Sequence, residues 1–146
     1  MDNKDRMLEI LKDTAEFYSE DPRERRCIDD DNNCRYTVDG VDGKDDTHCA
    51  VGRYLKRDFQ TEDWIENDMS IKEICSYGDD NSIDWCLRDE AKGLHTQFWV
   101  KLQDFHDSRY HWNGVLIGDD ETKGLSENGQ SVYKAIVSDI KKGRFD

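Results

Sequence analysis

The chain has a single proline, no C-x-x-C pair and no apolar run of 18 or more residues. The first lack leaves few fixed kinks, the second removes the usual zinc and dithiol signatures, and the third argues against a membrane-spanning helix. Also missing are G-x-x-x-x-G-K-[ST], G-x-G-x-x-G and G-x-S-x-G, so neither a nucleotide cradle nor a nucleophile elbow is encoded in its usual form. Positive charge is scarce: 21 Lys and Arg stand against 34 Asp and Glu, a net −13 over 146 residues. That balance disfavours nucleic acid and anionic membranes as direct partners, because phosphate binding relies on Lys and Arg. The first residues lead into an amphipathic helix rather than a basic segment and apolar core, which predicts no signal peptide. Five cysteines, an odd number without dense spacing, fit a reduced cytoplasmic protein better than a disulfide scaffold.

What is present is aromatic mass: four Trp, six Tyr and five Phe supply enough large burial units for a folded domain despite a 35% hydrophobic fraction. Apolar residues recur at helical spacing from Arg6 to Ser19, and Asp21-Pro22 stops the pattern. Residues 23–33 read as a loop. Cys34 to Val38 followed by Asp39-Gly-Val-Asp-Gly43 predicts a hairpin with Thr47-His-Cys49 as its return arm. A short helix is expected over Ala50–Arg57, starting at or near Cys49. Ser70 and Glu73 form a capping box, with Met69 and Ile74 as its staple and Gly78 as the stop. Ser82–Glu90 predicts another turn or two of helix, and Ala91–His106 a central helix carrying Leu94, Phe98, Leu102 and Phe105 on one face. Val115–Ile117 could form a short strand, and Glu127–Lys142 a final helix ended by Gly143. The expected architecture is α+β: one mostly helical domain, 1–146, with a small antiparallel hairpin packed on the central helix.

Asp29, Asp31 and Asn33 open like a calcium loop, but Cys34 replaces the turn glycine and Gly40 the bidentate Glu, so the EF-hand reading fails. Asp39, Asp42, Asp45 and Asp46 could hold a hard cation weakly or simply be solvated. Cys49, expected at a helix N-terminus, could be an activated thiol. With His106 or His111 as base and Asp107 or Asn113 as orienter, it would make a hydrolase or transferase centre. The alternatives are a zinc site of Cys27, Cys34, Cys49 and a histidine, or small buried thiols with Cys34 and Cys49 opposed across the hairpin. His106-Asp107 also reads as a packed histidine at a helix end, clustered with Trp112.

Cys34-Arg-Tyr36, Cys49-Ala-Val-Gly52, Leu102-Gln-Asp-Phe-His106-Asp107 and Trp112 resemble a C-x-Y, C-A-x-G, L-Q-x-x-H-D and Trp series found in an uncharacterised family of small phage and prophage proteins. In that family the stretch between the two cysteines is shorter. The resemblance implies a virus-encoded accessory protein in a host cytoplasm. Cys34, Tyr36 and Trp112 are expected to form a structural cluster, and no cofactor is expected. Small acidic proteins of that kind often inhibit host proteins, such as nucleic-acid-binding defence components, by occupying basic surfaces. The expected contact residues are Asp39, Asp42, Asp45, Asp46, Asp119, Asp120 and Glu121, by charge and exposure.

Overall fold

Asp2 caps the first helix by accepting the Asp5 N–H at 2.8 Å, and α1 then runs over Asn3–Glu20. In the computed structural model, which describes residues 2–29, 31, 33–64, 69–116 and 124–146, α1 buries Met7, Ile10, Leu11, Thr14, Ala15 and Tyr18 along one face. Asp21 breaks the helix, and Pro22 opens a single further turn, α2 (Pro22–Arg25), inside the segment expected to be loop. Strand β1 (Thr37–Val38) pairs antiparallel with β2 (Thr47–His48), Thr37 opposite His48. The register continues one step outward, where the Cys49 N–H donates to the Tyr36 carbonyl at 3.1 Å. Cys49 therefore faces Tyr36, and Cys34 instead bridges Ile28, which corrects the expected Cys34–Cys49 opposition.

Between the hairpin and the central helix the backbone is mostly 3₁₀ turns. The helix expected over Ala50–Arg57 is reduced to the turns Gly52–Tyr54 and Arg57–Phe59. These are held from outside: the Lys56 N–H reaches the Cys86 carbonyl at 2.8 Å and the Arg88 N–H the Tyr54 carbonyl at 2.9 Å. Helix α3 (Ile71–Cys75) has the expected Ser70/Glu73 capping box, and the stretch expected to be helical at 82–90 contains the 3₁₀ turns Asp84–Cys86 and Asp89–Ala91. The central helix α4 covers Thr96–Asp107, five residues later than expected at its start. Gly93 at φ +87° turns the chain away, and the His95 side chain caps the helix by accepting the Gln97 N–H at 3.0 Å. Val115 and Leu116 are not in a strand, and Ile117 lies outside the described residues. Helix α5 (Glu127–Lys141) closes the fold, followed by Gly143 at φ +76°.

The architecture is the expected α+β: mostly helical with one two-stranded antiparallel sheet. No helix among the described residues is long and apolar enough to cross a membrane. At the centre Phe98, Trp99, Leu102 and Phe105 of α4 are fully buried, and α5 packs on both α1 and α4. Each such side chain removed from water contributes about 1.5–3 kcal/mol, so α4 is the hydrophobic axis of the domain. Tyr18 ties the layers together: its hydroxyl donates to the His48 carbonyl, while its ring sits 4.7 Å from His106 and 5.8 Å from Trp112, edge-on to both.

Candidate functional site

The four sequence elements that carry the family resemblance meet in one hydrogen-bonded network at the C-terminal end of α4. The buried His106 ring is fixed from both sides: Nε2 accepts the Cys27 N–H at 3.2 Å, so Nδ1 carries the proton and donates to Asp107 Oδ1 at 2.8 Å. Burial holds this imidazole below its ordinary pKa, and the Asp107 hydrogen bond works in the opposite direction. One turn earlier on α4, Gln103 donates from Nε2 to the same Asp107 Oδ1 at 2.8 Å and accepts the Val51 N–H on Oε1 at 3.2 Å. The Trp112 indole donates to the His106 carbonyl at 3.1 Å, and the Cys34 thiol to the Asp107 carbonyl at 3.5 Å. The 4%-exposed Arg26 completes the ring, with Nε on the His106 carbonyl at 3.0 Å and Nη2 on the Asp107 carbonyl at 2.5 Å. Its guanidinium satisfies two of the last carbonyls of α4, a C-terminal cap supplied from a distant segment.

Cys49 meets this network through the Gln103 side chain rather than through His106. It is completely buried, and its sulfur accepts the Gly52 N–H at 3.2 Å. Burial, with Cys27 nearby, pushes its thiol well above the ordinary range, and the Gly52 N–H and the Gln103 side chain act against the shift without offsetting it. Both nitrogens of His106 are already engaged, so the expected arrangement of Cys49 as nucleophile, His106 as base and Asp107 as orienter has its second and third members in contact and its first outside their hydrogen bonds. The other pair weighed for those roles is also occupied. His111 Nδ1 lies 2.9 Å from the Phe105 carbonyl, and Asn113 donates to the Leu125 carbonyl at 3.1 Å.

The three thiols of the zinc reading point to separate backbone partners: Cys27 to the Thr47 carbonyl at 3.3 Å, Cys34 to Asp107, and Cys49 to Gly52. No group of three or more His, Cys, Asp or Glu among the described residues is placed to hold a metal ion. A cleft of about 290 Å³ does open beside the network, lined by Cys34, Tyr36, Lys72, Gln103, Asp104 and Asp107. Its thiol, Cys34, is pushed up to about 11, chiefly by burial and then by the Asp107 charge, and so is protonated at neutral pH. Tyr36 is held by its hydroxyl on the Met69 carbonyl at 2.6 Å. Both Tyr36 and Trp112 are buried.

The hairpin loop holds the described residues of the expected contact set. Asp42 at φ +54° and Gly43 at φ +82° give the left-handed pair that a tight hairpin turn needs. The Lys44 N–H donates to the Val41 carbonyl at 3.1 Å, and the Gly40 N–H to Asp46 Oδ1 at 2.8 Å, so the loop is cross-braced. Asp39, Asp42, Asp45 and Asp46 are all exposed, and none forms an ion pair among the described residues. Val41 stands 68% exposed among them. Asp119, Asp120 and Glu121 lie outside the described residues.

Beneath this loop runs a groove of about 980 Å³ whose walls come from α2, the hairpin and the 3₁₀ segments. It carries Arg23, Arg25, Arg26, Lys44, Arg53 and Arg88, a concentration of positive charge that sequence reasoning missed. Those residues are scattered over 66 positions, and only the Arg23-x-Arg25-Arg26 cluster was visible as a local signal. No family model matches this chain, and neither does any curated protein or solved structure.

Proposed function

We propose that the protein is a non-enzymatic binding protein of the phage accessory type that docks on a basic surface of a host protein and inhibits it. The observation that carries this reading is the braced 39–46 loop, which presents four exposed carboxylates, none in an ion pair among the described residues, around an exposed valine. Carboxylates of this kind steer encounter with a Lys/Arg surface, and an apolar tip adds the desolvated contact that steering alone lacks. The net charge of −13 extends the steering field over the whole molecule. The sealed Cys49 and the doubly bonded His106 favour a binding role over the thiol chemistry.

The test is affinity capture from bacterial host lysate with the wild type, Cys49→Ala, and a loop variant combining Val41→Ser, Asp42→Lys and Asp45→Lys. Asp46 is left in place because it braces Gly40. One host protein should be retained by the wild type and Cys49→Ala, lost with the loop variant, and released as salt rises. Retention by the loop variant would overturn the assigned surface, and loss on Cys49→Ala would return the cysteine to the argument.

A further inference from the structure

The groove under the hairpin loop inverts the character of the molecule. Six cations line it against four carboxylates, Glu24, Asp39, Asp45 and Asp46, an excess of two positive charges in a chain that totals −13. Three of the six, Arg23, Arg26 and Arg88, have no carboxylate at ion-pair distance among the described residues. Arg88 is fixed by neutral acceptors instead, with Nε on the Leu55 carbonyl at 3.0 Å and Nη2 on Gln60 Oε1 at 3.2 Å, which orient its guanidinium and leave its charge uncompensated. Arg53 is stacked on the Phe17 ring at 3.9 Å, has Nη2 on Asp13 at 3.0 Å, and has Nη1 buried without an acceptor among the described residues. His48 lines the same groove, half-buried, with Nδ1 3.0 Å from Thr37 Oγ1 and Nε2 without a partner among the described residues. Charged and polar groups from the turn at 52–54, the segment around 88 and strand β2 thus line one concavity.

We propose that this groove binds a phosphoryl group of a small ligand, received by Arg53 and Arg88 beside His48. Arg88 keeps Nη1 without a partner among the described residues, and its charge together with that of Arg53, on separate segments of the groove, suits the dispersed negative charge of a mono- or diphosphate. Arg23 and Lys44, exposed on the groove wall, draw an anion inward. The carboxylates of the loop select for size: a nucleic-acid strand would lay further phosphates against Asp39, Asp45 and Asp46, whereas a small phosphate ester would not. The site does not depend on the loop-docking reading, since it uses the groove floor and that reading uses the loop tip.

His48 reports occupancy. Burial holds its pKa below the ordinary value, with Arg88 and Arg53 acting in the same direction and Asp46 opposing, so an anion arriving between the two arginines raises it. The experiment titrates the full-length protein by NMR with inorganic phosphate, pyrophosphate and ADP at constant ionic strength, following the His48 ring protons across pH. The variants are Arg88→Gln, Arg53→Gln and, as a control of equal charge change on exposed α5, Lys134→Gln. At least one probe should bind saturably and raise the His48 pKa. Either groove variant should weaken it by about 10-fold or more, the effect of removing a charge-assisted hydrogen bond, and Lys134→Gln should leave it unchanged. Pyrophosphate binding equal to that of ADP identifies the phosphates as the whole determinant, and tighter ADP binding adds the nucleoside. Because Arg53 also packs on Phe17, Arg88→Gln decides the matter if Arg53→Gln fails to fold. No saturable binding of any probe at millimolar concentration, an unmoved His48, or an equal loss in Lys134→Gln overturns the proposal.

Discussion

Gln103 receives the Val51 N–H on Oε1 at 3.2 Å, and this hydrogen bond joins the turn after the hairpin to the middle of α4. Because the amide nitrogen of the same side chain holds Asp107, removing Gln103 strands a buried N–H and frees the carboxylate that orients His106. Gln103→Leu, close in volume, should therefore destabilise the fold by about 1–3 kcal/mol, the cost of an unsatisfied buried donor. Urea denaturation checks this, and a loss under about 0.5 kcal/mol would show the network to be decorative.

Acid should weaken the domain through the same network. Burial keeps folded His106 below its unfolded pKa of about 6.5, so the unfolded chain takes up the proton first as pH falls. The stabilisation is fully present above that value and is lost as pH drops below it; His48, also depressed, adds in the same direction. Stability measured at constant ionic strength should fall between about pH 7.5 and 5.5, and His106→Gln should show a shallower slope. Parallel curves for the two proteins would remove His106 as the cause.

Much of this fold was legible in the sequence where local chemistry and tertiary structure agree. The helical period of α1 and α5, the Asp42-Gly43 turn and the Ser70/Glu73 capping box each recur in the structure. The 3₁₀ segments around 52–59 and 84–91 were not, because they are set by an exchange of backbone hydrogen bonds between Tyr54–Lys56 and Cys86–Arg88 that no local pattern announces. The same reason misplaced Cys49: a dipole argument needs a helix, and tertiary pairing left only a turn. Among site residues, the His106–Asp107 contact followed from adjacency. The basic groove escaped because a total charge says nothing about where the minority sign is gathered.

Thiol reactivity should follow burial rather than sequence context. Cys27 and Cys86 are pushed up to about 12 and Cys34 to about 11, with Cys49 and Cys75 also raised, in each case mainly by burial. All five should react more slowly than free cysteine at neutral pH, Cys34 first because it alone is not fully buried, and the rest only as the protein opens. Time-resolved alkylation with peptide mapping reads the order. Early modification of Cys49 would reinstate the thiol as a reactive centre.

The glycine of the C-A-x-G element can be assigned a physical reason. A Cβ on Gly52 would lie 2.2 Å from the Tyr36 carbonyl oxygen, a backbone atom already accepting the Cys49 N–H that holds the hairpin's outer register. Neither side can yield without breaking that bond, so Gly52→Ala should cost more than about 2 kcal/mol, in the range of overpacked cores. Gly43 is the contrasting case: its φ of +82° disfavours any side chain, yet a Cβ there meets nothing within 4 Å. Gly43→Ala should cost only about 1 kcal/mol, the strain of a left-handed conformation. Thermal or urea unfolding of the two variants side by side separates contact from conformation. If Gly43→Ala proves as damaging as Gly52→Ala, the close approach of Gly52 to Tyr36 is not what requires the glycine.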